Sequence, residues 1–320
     1  MKYLVTGGAG FIGSEAVRQL VKSGHEVCVI DSLTYAGNLF SLESVIDKIK
    51  FYEISINNSE LLFEKIGNEK FDGILNFAAE THVDNSIISP TEFIQTNILG
   101  AYNLLNLARK MKCLMLQIST DEIYGSTTTG SFKEQDSQNP SSPYSGSKAA
   151  AEMLVMSYFK TYSVKTLIVR CSNNYGPFQH PEKLIPSFIS KAQRNEKLPV
   201  YGTGLNIREW IHVTDCVRAI LMVLEHGQFG EIYNISSGEF KTNLEITLSL
   251  LKLLNKSESL IEYVEDRVGH DYRYAVDSSK IRTELKWLPE IQFSQGLEST
   301  VDWYLKNTHH SNKKKRFHVV

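Results

Sequence analysis

The fold of this chain is decided by Lys2-Tyr3-Leu4-Val5-Thr6 and the turn that follows it, Gly7-Gly8-Ala9-Gly10-Phe11-Ile12-Gly13. The first five residues have the apolar character of a short buried strand. Apolar residues then recur at helical spacing as far as Ser23-Gly24, a signal for the end of a helix. Residues 26–30 indicate a second strand, and Asp31 ends it. This succession predicts the first unit of a parallel α/β sheet.

The acidic residue at the end of the second strand gives this unit the context of a dinucleotide-binding fingerprint. Glycines let the backbone approach a pyrophosphate, and the helix N-terminus offers unpaired N–H groups and partial positive charge. Asp31 can accept hydrogen bonds from ribose hydroxyls, whereas its charge repels a 2′-phosphate. The pattern therefore favours NAD over NADP. The alternative is a tight turn that binds no ligand.

The alternation of strands and helices continues as far as about residue 172, where the segments become shorter and more mixed. We predict a doubly wound parallel (Rossmann) sheet with right-handed crossovers and a smaller mixed α/β substrate-binding lobe. Further strands are expected at 50–54, 73–77, 114–118 and 165–170, and helices at 59–67, 91–110 and 144–161. The predicted domains are 1–172 with about 211–236 (Rossmann), 173–210 with about 237–308 (substrate lobe), and 309–320 (flexible basic tail).

Bulk composition narrows the class of protein. The chain has 320 residues and a formal net charge of −2, so its charge gives no reason to expect nucleic acid or an anionic membrane as a partner. No apolar run approaches the ~20 residues that a membrane span needs. The four cysteines are scattered and form no CxxC pair, which favours buried thiols in a reducing compartment. We expect a cytoplasmic enzyme without a metal site.

A second motif, Ser119-Thr120-Asp121-Glu122-Ile123-Tyr124-Gly125, follows an apolar run. Carboxylates at the carboxyl end of a buried parallel strand lie where open α/β sheets bind ligands. An Asp-Glu pair alone is more often a solvated turn or a helix N-terminus. Its position directly after Ser-Thr, on the strand before the next helix, favours a catalytic pair.

Tyr144 and Lys148 stand one helical turn apart and share a helix face. The lysine ammonium is expected to lower the pKa of the Tyr144 phenol from its usual ~10 toward neutrality. A tyrosinate can then take a proton from a substrate hydroxyl as hydride leaves for NAD. The alternative for such a pair is ordinary packing of a surface helix.

The glycine-rich turn with Tyr144-x-x-x-Lys148 resembles the extended short-chain dehydrogenase/reductase superfamily. Five longer motifs are similar to those of dTDP-glucose 4,6-dehydratases, and the resemblance runs from residue 1 to about 305. These motifs are Asp31-Ser-Leu-Thr-Tyr-Ala-Gly-Asn38, Ala78-Ala-Glu-Thr-His-Val-Asp84, Ser119–Gly125, Arg170-Cys-Ser-Asn-Asn-Tyr-Gly-Pro177 and Pro181-Glu-Lys-Leu-Ile-Pro186.

This resemblance implies a hydro-lyase of deoxysugar biosynthesis that converts dTDP-glucose to dTDP-4-keto-6-deoxyglucose. Tyr144, with Thr120 and Lys148, oxidises C4 of the sugar. Glu122 then removes the C5 proton and Asp121 protonates the departing C6 hydroxyl. Hydride returns to C6, so NAD stays tightly bound and is regenerated in each turnover. The resemblance also implies a homodimer, formed by the apolar faces of helices 91–110 and 144–161.

The resemblance further assigns ligand contacts residue by residue. The cofactor-binding set is Gly7, Gly10, Phe11, Ile12, Gly13, Asp31, Ser32, Leu33, Thr34, Ser55, Ile56, Ala78, Ala79, Thr96, Tyr144, Lys148 and Asn174. The sugar-nucleotide set is Thr81, Thr120, Asn173, Lys183, Leu184, Pro199, Tyr201, Arg208, Asn243, Arg267 and His270. Lys183, Arg208 and Arg267 are expected to hold the pyrophosphate, since two negative charges need cationic partners.

Two departures from the family pattern keep alternatives open. Ser55-Ile56 stands where the family usually has Asp-Ile beside the adenine, and Asn85 stands where it often has Arg. With asparagine at position 85 the chain is similar to UDP-glucose 4,6-dehydratases, which leaves UDP-glucose open as the substrate. A nucleotide-sugar 4-epimerase shares the cofactor, Tyr and Lys, but it does not need the acid–base pair of Asp121 and Glu122. A decarboxylase of the superfamily or an inactive NAD-binding protein is the remaining possibility.

Overall fold

Seven parallel strands form the main sheet of this protein in a computed structural model that describes residues 1–266 and 269–307. In chain order the strands are β1 Lys2–Thr6, β2 Glu26–Asp31, β3 Ile49–Glu53, β4 Gly73–Asn76, β5 Leu114–Thr120, β6 Thr166–Cys171, β7 Asn173–Tyr175, β8 Leu198–Tyr201, β9 Ile207–His212, β10 Ile232–Ile235, β11 Phe240–Thr242 and β12 Ile261–Val264. The order across the sheet is β10-β6-β5-β4-β1-β2-β3, and each neighbouring pair is parallel. The predicted doubly wound fold is confirmed.

Helices cover both faces of this sheet. They are α1 Phe11–Lys22, α2 Ser59–Ile66, α3 Val83–Ile88, α4 Thr91–Phe93, α5 Ala101–Met111, α6 Pro143–Tyr162, α7 Leu184–Gln193, α8 Val213–His226, α9 Asn243–Leu253, α10 Ser279–Leu285 and α11 Phe293–Lys306. Alternate residues of β1 point to opposite faces, so Val5 packs with α1 and α8 while Leu4 packs with α2 and α5.

The helix predicted at 91–110 is interrupted. A π-helical segment, Ile94–Gly100, lies between α4 and α5. Such segments are frequent at functional sites because they redirect side chains that regular helical spacing leaves elsewhere. Helix α6 begins at Pro143, one residue before the predicted start, because Ser142 caps it in a capping box.

The remaining strands belong to smaller sheets beyond the end of β6. Strands β11, β9 and β7 form a three-stranded mixed sheet, and β12 pairs with β8 in parallel. Helices α7, α9 and α11 pack around them on a separate apolar cluster. Helix α10 instead packs against α8 and β10, so the chain after about 237 contributes to both parts of the molecule.

The described residues contain no helix long and apolar enough to cross a membrane. Within the same ranges there is also no group of three or more His, Cys, Asp or Glu side chains arranged to hold a metal ion. Arg267 and the predicted basic tail at 309–320 lie outside the described residues.

Candidate active site

A cavity of about 680 Å³ opens at the carboxyl ends of β1, β2, β4 and β5. All five predicted catalytic residues line it: Thr120, Asp121, Glu122, Tyr144 and Lys148. Every residue of the predicted cofactor-binding set except Leu33 also lines this cavity. The fold therefore brings into one cleft side chains that are far apart along the chain.

The glycine-rich turn leaves room for a ligand beside the backbone. Gly7 has a φ of +67°, and a Cβ there would collide with the backbone of Ala78. A Cβ on Gly13 would collide with the carbonyl oxygen of Gly7. The N-terminus of α1 consequently faces the cavity without side chains in the way, which suits a pyrophosphate.

Asp31 is fixed at the end of β2 by backbone donors. Its Oδ2 accepts from the Ala9 amide at 2.9 Å, and its Oδ1 accepts from the Leu33 amide at 2.8 Å. Burial raises the pKa of Asp31, and these two bonds oppose that shift. Leu33 therefore contributes to the site by holding Asp31 rather than by lining the cavity.

The adenine end of the predicted cofactor site contains neutral polar groups. Ser55 and Thr96 line the cavity together with Asn57, which the sequence analysis missed. The side-chain Nδ2 of Asn57 donates to Thr96 Oγ1 at 3.2 Å, and its backbone amide donates to Ser55 Oγ at 3.2 Å. Nothing in the sequence pattern indicated Asn57, because its place in the site depends on the packing of the distant π-helical segment that carries Thr96.

The carboxylate pair lies on a short 3-10 turn, Asp121–Tyr124, directly after β5. Thr120 caps this turn: its Oγ1 accepts from the Glu122 amide at 3.3 Å and donates to Asp121 Oδ1 at 3.2 Å. Asp121 is buried, and its Oδ2 has no hydrogen-bond partner among the described residues. Burial, with smaller contributions from the charges of Glu122 and Glu209, raises the pKa of Asp121 well above its usual range.

Tyr144 and Lys148 lie on the buried face of α6, so packing of a surface helix is excluded. Lys148 Nζ donates to the Ile118 carbonyl oxygen at 2.6 Å, and burial lowers the pKa of Lys148 to about 8. The pKa of Tyr144 is raised, first by burial and then by the charge of Glu122. The expectation that the pKa of Tyr144 falls toward neutrality is therefore wrong for the protein alone, because desolvation and the nearby carboxyl charges outweigh the lowering effect of the Thr120 hydrogen bond.

Asn97 is a second residue that the sequence analysis missed. It lies in the π-helical segment, accepts from the Glu80 amide at 2.9 Å and donates to Ser147 Oγ at 2.8 Å. Ser147 in turn donates to the Tyr144 carbonyl oxygen at 2.7 Å. Asn97 thus connects the end of β4 to the helix that carries Tyr144. A polar residue inside an otherwise apolar helical pattern was the available signal.

The predicted sugar-nucleotide residues divide into two groups. Thr81, Thr120, Asn173 and Lys183 line the cavity, and Lys183 Nζ donates to the Thr81 carbonyl oxygen at 3.2 Å. The remaining described members are not part of its lining: Leu184, Pro199, Tyr201, Arg208, Asn243 and His270.

Arg208 is buried away from the cavity lining. Its guanidinium donates to the carbonyl oxygens of Ile207, Asp271 and Tyr272, and it lies 4.1 Å from the ring centre of Tyr274. Lys183 lines the cavity, Arg208 does not, and Arg267 lies outside the described residues, so a joint role of the three cations in holding a pyrophosphate stays a prediction.

Several polar atoms of the cavity wall have no hydrogen-bond partner in the part of the chain that the structure describes. Buried side-chain oxygens that lack a partner within the described ranges include Ser119 Oγ, Ser172 Oγ and Asn174 Oδ1, and all three residues line the cavity. Buried polar groups without partners are costly unless a ligand satisfies them. Together with the glycine turn and Asp31, they fit a dinucleotide.

Comparisons with known proteins agree with this geometry. A family model described as GDP-mannose 4,6 dehydratase matches residues 4–300. The chain is 49% identical over 309 residues to the low-salt glycan biosynthesis protein Agl12 of Haloferax volcanii, covering 95% of this chain and 99% of that protein. It is 43% identical over 316 residues to a dTDP-glucose 4,6-dehydratase of Streptomyces niveus, covering 96% and 94% of the two chains.

A solved structure shows the same relationship. The crystal structure of DesIV, a dTDP-glucose 4,6-dehydratase from Streptomyces venezuelae with NAD and TYD bound, is 44% identical and has a TM-score of 0.93. The match covers 96% of this chain and 98% of that one. By family model, identity and fold, the chain belongs to the nucleotide-sugar 4,6-dehydratase family, on its dTDP-glucose 4,6-dehydratase branch.

Proposed function

We propose that this chain catalyses the NAD-dependent 4,6-dehydration of dTDP-glucose to dTDP-4-keto-6-deoxyglucose, the reaction for which its relatives are named. One observation carries the proposal. The Tyr144–Lys148 face of α6 and the adjacent carboxyls of Asp121 and Glu122 line the same cavity. The first pair suits oxidation of an alcohol, and the second suits the removal of water beside the new ketone.

The cofactor site is proposed from the glycine turn and Asp31. Backbone amides at the start of α1 bind the pyrophosphate, and Asp31 accepts from the adenosine ribose. NAD, when bound, supplies a hydride acceptor that is regenerated within each turnover, together with a positive charge on its oxidised nicotinamide ring. The chain alone raises the pKa of Tyr144, so a tyrosinate needs more positive charge than Lys148 provides.

In the oxidation half, Tyr144 takes the proton of the C4 hydroxyl while Thr120 hydrogen-bonds the same oxygen. Thr120 lies on β5, and the Lys148 contact with Ile118 holds α6 against that strand. The two groups that act on C4 are therefore fixed to each other by the sheet and one buried bond.

In the elimination half, the C4 ketone makes the C5 proton acidic. Glu122 removes that proton, and Asp121 donates a proton to the departing C6 hydroxyl. Burial raises the pKa of Asp121 well above its usual range, which favours the protonated carboxyl that this step needs. A 4-epimerase has no use for such a proton donor, so the environment of Asp121 favours the dehydratase.

A second candidate substrate is UDP-glucose. Asn85, which stands where the family often has Arg, lines the cavity. The test is turnover of dTDP-glucose and UDP-glucose by the purified protein without added NAD, with the products identified by NMR. We expect faster turnover of dTDP-glucose to a 4-keto-6-deoxy sugar. A faster reaction with UDP-glucose would reverse the assignment of the base, and a product that keeps its C6 hydroxyl would reject the dehydratase.

We further propose a homodimer that forms through one exposed apolar face. This face consists of Ile94, Leu99, Tyr102, Met153 and Tyr162, on the π-helical segment, α5 and α6. Contiguous exposed apolar residues on helices mark interfaces rather than solvated surface. We place the enzyme in the cytoplasm, because its four cysteines are buried thiols, as expected in a reducing compartment.

A further inference from the structure

A buried ion pair that the proposed mechanism does not use lies behind the catalytic turn. Arg170, on β6, is 2% exposed and Glu152, on α6, is fully buried. Arg170 Nη2 lies 2.7 Å from Glu152 Oε2, and its Nε donates to both carboxylate oxygens. Burying such a pair is costly, so it suggests a role in fixing geometry rather than in stability alone.

Tyr124 connects this pair to the catalytic turn. Its hydroxyl accepts from Arg170 Nη1 and donates to Asn234 Oδ1 at 2.9 Å. Its ring stacks on Phe132 with the ring centres 5.1 Å apart. Burial raises the pKa of Tyr124 to about 12, so the phenol keeps the proton that it donates.

The connection joins the two halves of the active site. Tyr124 ends the same 3-10 turn on which Asp121 and Glu122 lie. Glu152 lies one helical turn beyond Lys148 on α6. Tyr124, Arg170 and Glu152 therefore form a chain of side-chain contacts from the carboxyl pair to the helix that carries Tyr144.

The turn can stay folded without the phenol, because its start and its middle have bonds of their own. The Thr120 cap holds its start, and the Asn139 amide donates to the Ile123 carbonyl oxygen at 2.9 Å. Thr120 is held separately, because β5 pairs with both β4 and β6. Loss of the Tyr124 hydroxyl should thus leave the turn folded and Thr120 and Tyr144 in place, and remove only the contact through Arg170 and Glu152 that sets the carboxyls against α6.

We propose that Tyr124 is a positioning residue for the elimination half of the reaction, because its phenol sets the register of the Asp121–Glu122 turn against α6 through Arg170 and Glu152. This inference rests on the proposed function. It predicts that the two halves of the reaction respond differently to loss of one hydroxyl group.

The experiment compares Tyr124→Phe with a matched control, Tyr158→Phe. Tyr158 is also buried, and its hydroxyl also donates to an asparagine Oδ1 at 2.9 Å, that of Asn106, but it does not contact the turn. Single-turnover absorbance of reduced nicotinamide reports C4 oxidation, and rapid quenching reports the 4-keto-6-deoxy product. Phe132→Leu, which loosens the ring of Tyr124 but keeps its hydroxyl, is the second variant in case Tyr124→Phe does not fold.

We expect Tyr124→Phe to oxidise C4 at the wild-type rate, to accumulate reduced nicotinamide, and to form product about 10- to 100-fold more slowly, as a misplaced catalytic group predicts. Phe132→Leu should show the same split to a smaller extent, and Tyr158→Phe should resemble the wild type in both steps. Equal slowing of both steps, or no change in either, would overturn the positioning role. A wild-type protein that forms neither reduced nicotinamide nor product would reject the proposed function instead, and this inference with it.

Discussion

Lys148 on α6 donates a hydrogen bond to the carbonyl oxygen of Ile118 on β5, with 2.6 Å between Nζ and the oxygen. The bond ties the catalytic helix to the strand that carries Thr120. It also places a cation in a buried position, which explains why the pKa of Lys148 falls to about 8. Lys148 is thus both a structural anchor and a source of positive charge at the site.

Replacing this lysine should separate activity from stability. Lys148→Met removes the cation and the bond to Ile118, so we expect turnover to fall by about 10²- to 10⁴-fold, the range for loss of acid–base assistance. Methionine also removes the cost of burying a charge, which offsets the lost bond to Ile118, so the thermal unfolding temperature should change little. Lys160→Met, an exposed lysine on the same helix, is the control and should keep wild-type turnover. Retained activity in Lys148→Met would contradict the assigned role.

The buried carboxyl of Asp121 predicts a pH-dependent cost in stability. Its folded pKa is raised well above the value of about 3.9 expected in the unfolded chain. The favourable contribution of Asp121 to the free energy of unfolding is therefore complete below about pH 3.9, and it is lost as the pH rises through the folded pKa. Asparagine does not titrate, so the stability of Asp121→Asn relative to the wild type should increase as the pH rises. The difference in the free energy of unfolding should grow by at most about 1.4 kcal/mol per pH unit.

Urea unfolding at a series of pH values measures this difference. Asp47→Asn, at an exposed position, is the control and should show no such trend. If the free energy of unfolding of Asp121→Asn relative to the wild type stays constant or falls as the pH rises, the pKa of Asp121 is not raised in the folded protein.

Ser55 offers a test of the cofactor site that does not depend on turnover. In Ser55→Asp a carboxylate can accept from the adenine amino group, so we expect NAD to dissociate about tenfold more slowly, as one charge-assisted hydrogen bond predicts. The measurement is the rate at which bound NAD is lost during dialysis. Ser44→Asp, at an exposed serine, adds the same charge elsewhere. Equal loss of NAD from both variants would place the adenine away from Ser55.

A single charge placed in the proposed interface should prevent the dimer from forming. Met153 is 55% exposed on α6, and Met153→Glu puts an unpaired carboxylate into the proposed interface. We expect sedimentation velocity to show a dimer for the wild type and a monomer for this variant. Leu288→Glu, at an exposed apolar residue away from that face, should remain a dimer. A wild type that sediments as a monomer would reject the interface.

Sequence alone predicted the parts of the site that depend on local order along the chain. Asp31 and the glycine turn follow from strand–turn–helix spacing, and the structure places them at one end of the cavity. Tyr144 and Lys148 follow from helical periodicity. Each of these relationships lies within a single helix or within one strand–helix–strand unit.

The parts that sequence missed depend on how distant elements pack. Asn97 reaches Ser147 because a π-helical segment turns it inward, and helical spacing does not encode that segment. The pKa of Tyr144 rises because the fold buries the phenol and brings the charge of Glu122 near it, which the spacing of Tyr144 and Lys148 does not encode. The contacts of Arg208 depend on packing in the same way, since its guanidinium donates to the carbonyl oxygen of Asp271, 63 residues along the chain.

In the proposed mechanism, hydride leaves C4 and returns to C6 after Asp121 and Glu122 have removed water. The most direct measurement uses dTDP-glucose labelled with deuterium at C4, incubated with the purified protein without added NAD. We predict that the product is a 4-keto-6-deoxy sugar with the deuterium at C6, and that Asp121→Asn still forms reduced nicotinamide but yields this product far more slowly. Deuterium that returns to C4 of a sugar with its C6 hydroxyl intact would contradict the account.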